Sequence, residues 1–122
     1  MTVKRIAVLG AGTMGHGIAY AAAAAGFETA MYDVTRAAVE KGRERIEQIF
    51  RKGVELGKVT TADADAGIAR LSISDQIADV LTGADFVIEA APEKIDLKLQ
   101  LFEAIDRHTP DHAIVTTNTS AL

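Results

Sequence analysis

At 122 residues the chain has the length of one domain, and with 48% hydrophobic and 25% charged residues it carries enough apolar surface to form a core, which argues against disorder. Only 5% of the residues are aromatic and alanine is abundant, so the core is expected to be thin, with helices packed closely on a flat layer or with another surface covering part of it. A net charge of −4 without a long basic block speaks against a nucleic-acid partner, and the absence of cysteine removes disulfides and thiolate metal sites and fits a reducing compartment.

The start of the chain imitates a secretory signal, with Lys4 and Arg5 ahead of an apolar run that reaches Ala25. The run is broken by Gly10, Gly12, Gly15, His16 and Gly17, and no stretch approaches the ~18 unbroken apolar residues of a membrane span. A cytoplasmic protein without a membrane segment is expected. His16 has no partner at ligand spacing, His108 and His112 flank Pro110 in a loop and read as solvated surface residues, and no metal is expected.

Strands and helices are expected to alternate along the chain. Val3 to Leu9 is a β-branched, apolar run ending at Gly10, and Thr13 to Ala25 is a helix closed by Gly26. Phe27 to Tyr32 reads as a second strand. From Thr35 to about Glu55 the pattern is an amphipathic helix, with Val39, Ile46, Ile49, Phe50 and Val54 on one stripe and Lys41, Arg43, Glu44, Glu47 and Arg51 opposite. Gly57 and Thr60-Thr61-Ala62-Asp63 mark a turn and a further helix to about Ala69.

Leu71 to Ile73 is a weak third strand, Asp75 to Leu81 a short helix, and Asp85 to Glu89 a fourth strand apolar on both faces at Phe86-Val87-Ile88. After Pro92 a helix is expected with Ile95, Leu99, Phe102 and Ile105 turned inward, then a fifth strand over Ala113 to Thr117. Such alternation predicts an α/β, Rossmann-type, doubly wound parallel sheet. The connection from Asp33 to Arg70 far exceeds the dozen or so residues of a plain crossover, so a helical excursion, about residues 35–69, is expected to project between strands 2 and 3. The chain stops at Leu122, and the sheet is read as truncated after its fifth strand.

Gly10-Ala11-Gly12-Thr13-Met14-Gly15 is a G-x-G-x-x-G that follows a strand, opens a helix and is followed by a strand ending in Asp33. The first glycine permits the tight turn, Gly12 admits a pyrophosphate, Gly15 permits close helix–strand packing, and the helix N-terminus of Thr13 and Met14 offers N–H groups to phosphate. Asp33 suits the adenosine ribose hydroxyls and would repel a 2′-phosphate, favouring NAD over NADP. Alternatively, Asp33 caps the next helix. Arg36, three residues on, fits either a phosphate contact or a solvated charge.

The opening Ile6-Ala7-Val8-Leu9 with its glycine turn to Ala19, the segment Val87-Ile88-Glu89-Ala90-Ala91-Pro92-Glu93, and Asn118-Thr119-Ser120 together resemble the NAD-binding domain of the 3-hydroxyacyl-CoA dehydrogenases over the whole chain. The resemblance implies that Glu93 and Lys98 reach the nicotinamide side of NAD, and that Ser120, with Asn118 beside it, bonds the C3 oxygen of an acyl-CoA substrate. Read without it, Glu93 is a helix-N-terminal acid, Lys98 an exposed helix charge and the Asn118–Ser120 stretch a polar loop.

In this family the excursion helps to hold coenzyme A, and a separate helical domain completes the site and dimerises. A departure stands at the excursion, where Ile49 and Leu56 occupy positions that relatives give to a serine and a lysine. Arg51, Lys52 or Lys58 are substitutes for contacting the nucleotide's phosphate, or solvated charges. The family's reaction moves hydride from C3 of a 3-hydroxyacyl thioester to NAD while a glutamate-oriented histidine takes the proton. Both of those groups would fall beyond Leu122, so this chain alone is expected to be inactive. Two other readings fit the residues: a related hydroxyacid dehydrogenase of the gulonate type that uses no coenzyme A, and a stand-alone, non-catalytic NAD-binding module.

Overall fold

The computed structural model describes residues 2–91 and 95–117. Five parallel strands, β1 (Arg5–Leu9), β2 (Glu28–Tyr32), β3 (Leu71–Ser74), β4 (Phe86–Glu89) and β5 (Ile114–Thr117), form one sheet in the order β3-β2-β1-β4-β5. The connecting helices are α1 (Thr13–Ala24), α2 (Arg36–Glu55), α3 (Thr61–Ala69), α4 (Ile77–Leu81) and α5 (Ile95–His108). Every expected strand and helix is present, with most ends moved by one or two residues.

The chain runs outward from β1 through β2 to β3 on one side and then returns to place β4 and β5 on the other, so the direction of winding reverses between β1 and β4. Ligands of such sheets bind outside the carboxyl ends of the strands at that reversal. The register puts Ser74, Tyr32, Leu9, Glu89 and Thr117 in one row along that edge.

β1 is buried on both faces because it is covered by helices on both. Ile6 and Val8 join one core with Ala19, Ala22 and Ala23 of α1 and Val39, Ile46 and Phe50 of α2. Ala7 and Leu9 join the other with Val80 and Leu81 of α4 and Leu101 and Ile105 of α5. The alanines of α1 bring that helix close to the sheet, and α1 ends in a Schellman turn: Gly26 takes a φ of +105°, and Phe27 N–H donates to the Ala22 carbonyl at 3.1 Å.

The inward face of α5 differs from the expected one. Leu101 and Ile105 are buried, but Leu99 is 62% and Phe102 43% exposed. The helix carries two apolar stripes, Leu99–Phe102 and Leu97–Leu101–Ala104–Ile105, and the second, which includes the smaller Ala104, is the one seated on β1 and β4. On α2, Val39, Ile46 and Phe50 are buried as expected while Ile49 lies at the surface.

The excursion packs down rather than projecting. Thr35 and Thr60 cap α2 and α3, their hydroxyls accepting from the N–H groups of Ala38 and Asp63. The Phe50 ring meets Tyr20 of α1 edge-on, centroids 4.9 Å apart, and Gly67 of α3 lies beneath it, where a Cβ would stand 2.5 Å from the ring. Arg70 closes the unit by donating to the Ala23 carbonyl at 2.9 Å.

Candidate functional site

Between β1 and α1 the glycines have separate reasons. Gly10 takes a φ of +116°, and a Cβ there would lie 2.8 Å from the Ala90 carbonyl oxygen, so glycine is required where the turns after β1 and β4 meet. A Cβ on Gly15 would sit 1.8 Å from the Gly10 carbonyl oxygen, a distance that only glycine avoids. At Gly12 a Cβ would meet nothing within 4 Å among the described residues. The Gly12 backbone thus comes to the surface at the α1 N-terminus, and the first turn of that helix holds no acidic residue. Thr13, exposed, and Gly15, buried, begin a helix whose positive end faces the glycine turn, an arrangement suited to a diphosphate.

Asp33 follows β2 and turns back to this loop. One carboxylate oxygen accepts the Ala11 N–H at 2.9 Å and the other the Val34 N–H at 2.7 Å. The cap of α2 is Thr35, so Asp33 is not spent on helix capping. Its carboxylate stands beside the glycine turn, above a small recess lined by Tyr32, Val34, Ala91 and Leu97, where a ribose would present its hydroxyls. Arg36 turns along its own helix to Glu40 at 3.1 Å, an exposed pair.

Lys98 is not the exposed helix charge that its position in an amphipathic helix suggests. It is 6% exposed, and its ammonium lies 2.9 Å from Oε1 of Glu89, a residue with no solvent-accessible surface at the end of β4. The same oxygen accepts the Thr117 hydroxyl at 2.7 Å, and Oε2 accepts the Ala91 N–H at 2.7 Å. Burial pushes the Glu89 carboxyl up, but the Lys98 ammonium, the Thr117 hydroxyl and the Ala91 N–H outweigh it and hold the group below its ordinary value. Sequence reasoning overlooked Glu89 and Thr117 as site residues. The signal was there: a carboxylate ending a strand buried on both faces must find partners. Glu93, Asn118 and Ser120 lie outside the described residues.

The three histidines have other settings. The His16 ring bonds the Gly12 carbonyl at 2.8 Å, His112 pairs with Asp85 at 2.7 Å near the amino ends of β1 and β4, and His108 ends α5. A cleft between α1 and α2 is lined by His16, Tyr20, Arg45, Lys52, Leu56 and Lys58, basic side chains around an apolar floor. Arg51 is turned away from it, bonded to Asp65 of α3 at 3.1 Å. Among the described residues no helix is long and apolar enough to cross a membrane, and no three His, Asp or Glu side chains gather as a metal site would require.

A doubly wound parallel sheet with a glycine turn leading into a helix N-terminus at its reversal and a carboxylate one strand away is a dinucleotide-binding domain. Residues 5–122 match the model of the family described as 3-hydroxyacyl-CoA dehydrogenase, NAD binding domain, and the chain belongs to that family. NAD is the cofactor of this domain. Over 122 residues the chain is 43% identical to a probable 3-hydroxybutyryl-CoA dehydrogenase of Bacillus subtilis, covering all of this chain and 42% of that protein. A crystal structure of (S)-3-hydroxybutyryl-CoA dehydrogenase from Ralstonia eutropha superposes with a TM-score of 0.92 at 36% identity, over 99% of this chain and 42% of the other. A 5-formyl-3-hydroxy-2-methylpyridine 4-carboxylate 5-dehydrogenase of Mesorhizobium japonicum is 35% identical over 120 residues, 98% of this chain and 38% of that protein. The chain thus spans well under half the length of these relatives.

Proposed function

We propose that the chain forms the cofactor-binding part of an oxidoreductase that transfers hydride between C3 of a 3-hydroxyacyl-CoA and NAD. The observation that carries this reading is the glycine turn at the N-terminus of α1, tied through the Ala11 N–H to the Asp33 carboxylate. When bound, NAD supplies the hydride acceptor. The α1 N-terminus holds its diphosphate, Asp33 its adenosine ribose, and the edge formed by β4 and β5, where Glu89, Lys98 and Thr117 meet, receives the nicotinamide half. Glu93 is assigned to that same half, and Asn118 and Ser120 to the C3 oxygen of the substrate.

The basic cleft between α1 and α2 is the place for the phosphates of coenzyme A, with Arg45, Lys52 and Lys58 in place of the serine and lysine that Ile49 and Leu56 displace. A second reading, a hydroxyacid dehydrogenase without coenzyme A, draws on those two apolar residues and on the M. japonicum relative, whose name mentions no thioester. Titration with coenzyme A separates them: micromolar to millimolar binding weakened by Lys52→Ala and Lys58→Ala supports the first, and no binding supports the second.

None of the three histidines bonds to Glu89, Lys98 or Thr117 in the contacts of the described residues, so the proton acceptor is assigned to a group other than these three. The chain is expected to quench or enhance NADH fluorescence on binding yet leave NADH absorbance unchanged with acetoacetyl-CoA. Turnover by the chain alone would overturn that assignment.

A further inference from the structure

Glu89 and Lys98 form a buried ion pair at the carboxyl edge of the sheet, 2.9 Å apart, with side chains 0% and 7% exposed. Removing two charges from water is costly, and a pair of apolar side chains would fill the same space without that cost. The placement gives the pair a use. With the ribose at Asp33 beyond β2 and the diphosphate at the turn after β1, a dinucleotide would run across the sheet towards β4 and β5, and its second half would come to the edge that holds Glu89, Lys98 and Thr117. That half changes charge in the reaction: the pyridinium ring of NAD+ is cationic and the dihydropyridine ring of NADH is neutral.

We propose that Glu89 is a specificity-determining residue for the oxidation state of the cofactor, its fixed carboxylate offsetting the Lys98 ammonium so that the site accepts the cationic ring as well as the neutral one. This rests on the reading of the site as an NAD site. The carboxylate is suited to the task because, among the described residues, the Lys98 ammonium, the Thr117 hydroxyl and the Ala91 N–H all hold it in place. The pair acts on the ring by charge at a distance and need not touch it. A unit charge removed several ångströms from a second charge, in the intermediate dielectric of a protein surface, changes an equilibrium by about tenfold.

The experiment measures dissociation constants of the purified chain for NAD+ and NADH by calorimetry and fluorescence, with circular dichroism as the check on folding. Glu89→Gln keeps the shape and drops the charge, and is expected to raise the ratio Kd(NAD+)/Kd(NADH) about tenfold. Lys98→Gln removes the positive charge while the Thr117 hydroxyl and the Ala91 N–H still hold the carboxylate, and is expected to move the ratio the other way, which decides the matter even if Glu89→Gln does not fold. The double variant is expected to return the ratio towards that of the parent chain. A purely structural role would weaken both forms alike, so an unchanged ratio in either folded variant, or a shift in the same direction in both, overturns the proposal. Binding of neither form by the parent chain would overturn the NAD reading itself, and this inference with it.

Discussion

The Asp33 carboxylate accepts the backbone N–H of Ala11 at 2.9 Å, so the residue proposed for the ribose also fixes the loop proposed for the diphosphate. Asp33→Ala therefore removes two effects together. NAD affinity is expected to fall at least about tenfold, in line with the loss of a hydrogen bond to a charged group, while NADP affinity falls less because the repulsion of its 2′-phosphate is lost as well. Calorimetric titration of both dinucleotides into the parent and variant chains checks this. A variant that kept the parent's preference for NAD would contradict the role of Asp33.

Gly12 and Gly15 separate binding from folding. Gly12 has a φ of −72° and, among the described residues, nothing within 4 Å of its Cβ position, so Gly12→Ala is expected to leave the melting temperature within a few degrees and to weaken NAD at least about tenfold by standing in the way of the diphosphate. Gly15→Ala would place a methyl group 1.8 Å from the Gly10 carbonyl oxygen and is expected to cost about 3 kcal/mol or more of stability. Thermal melts with and without NAD distinguish the two outcomes.

Asp85 ties together the amino ends of the central strands. Its carboxylate accepts from His112 and from the backbone N–H groups of Lys4 and Arg5, and these bonds, that to His112 first, lower its pKa from 3.8 to about 2. A carboxyl whose folded value lies below its unfolded one contributes stability above the unfolded value and loses it as pH falls between the two. The urea midpoint of the parent chain is therefore expected to decline from about pH 4 towards pH 2, and Asp85→Asn to flatten that limb. Glu89, also held below its ordinary value, acts in the same direction and leaves part of the slope in place.

Phe50 and Gly67 make the joint between α2 and α3. Phe50, 4% exposed, is expected to cost about 3 to 5 kcal/mol on change to Ala. Gly67→Ala drives a methyl group against the ring, and the shorter side chain of Phe50→Leu relieves it, so the double variant is expected to be less destabilised than the sum of the singles. Denaturant melts of the four chains measure the coupling.

Order and type of the elements were legible because local signals and the fold agree: the unbroken apolar run of β1, glycines closing α1 and α2, and threonines opening α2 and α3. The glycine turn between β1 and α1 was legible for the same reason, since its spacing lies within one βαβ unit. The inward face of α5 was not, because two apolar stripes of similar strength run along it and only the surface beneath chooses between them. Lys98 shows a further limit. Helical periodicity marks it as outward, and only the pairing of β4 with β5, remote in sequence, brings the Glu89 carboxylate and the Thr117 hydroxyl to the same place.

Gly42 lies in the middle of α2, where a Cβ would come within 2.8 Å of the Ala11 carbonyl oxygen and 2.9 Å of Met31. The helix that walls the basic cleft is therefore seated directly on the loop that Asp33 holds. Redesign of the cleft by tilting or sliding α2 would carry the phosphate turn with it, and with it the grip on the dinucleotide. Exchange of the side chains at Arg45, Ile49, Lys52 and Leu56 leaves that seat untouched, and is the route by which acceptance of a new substrate is expected to evolve without a change of cofactor.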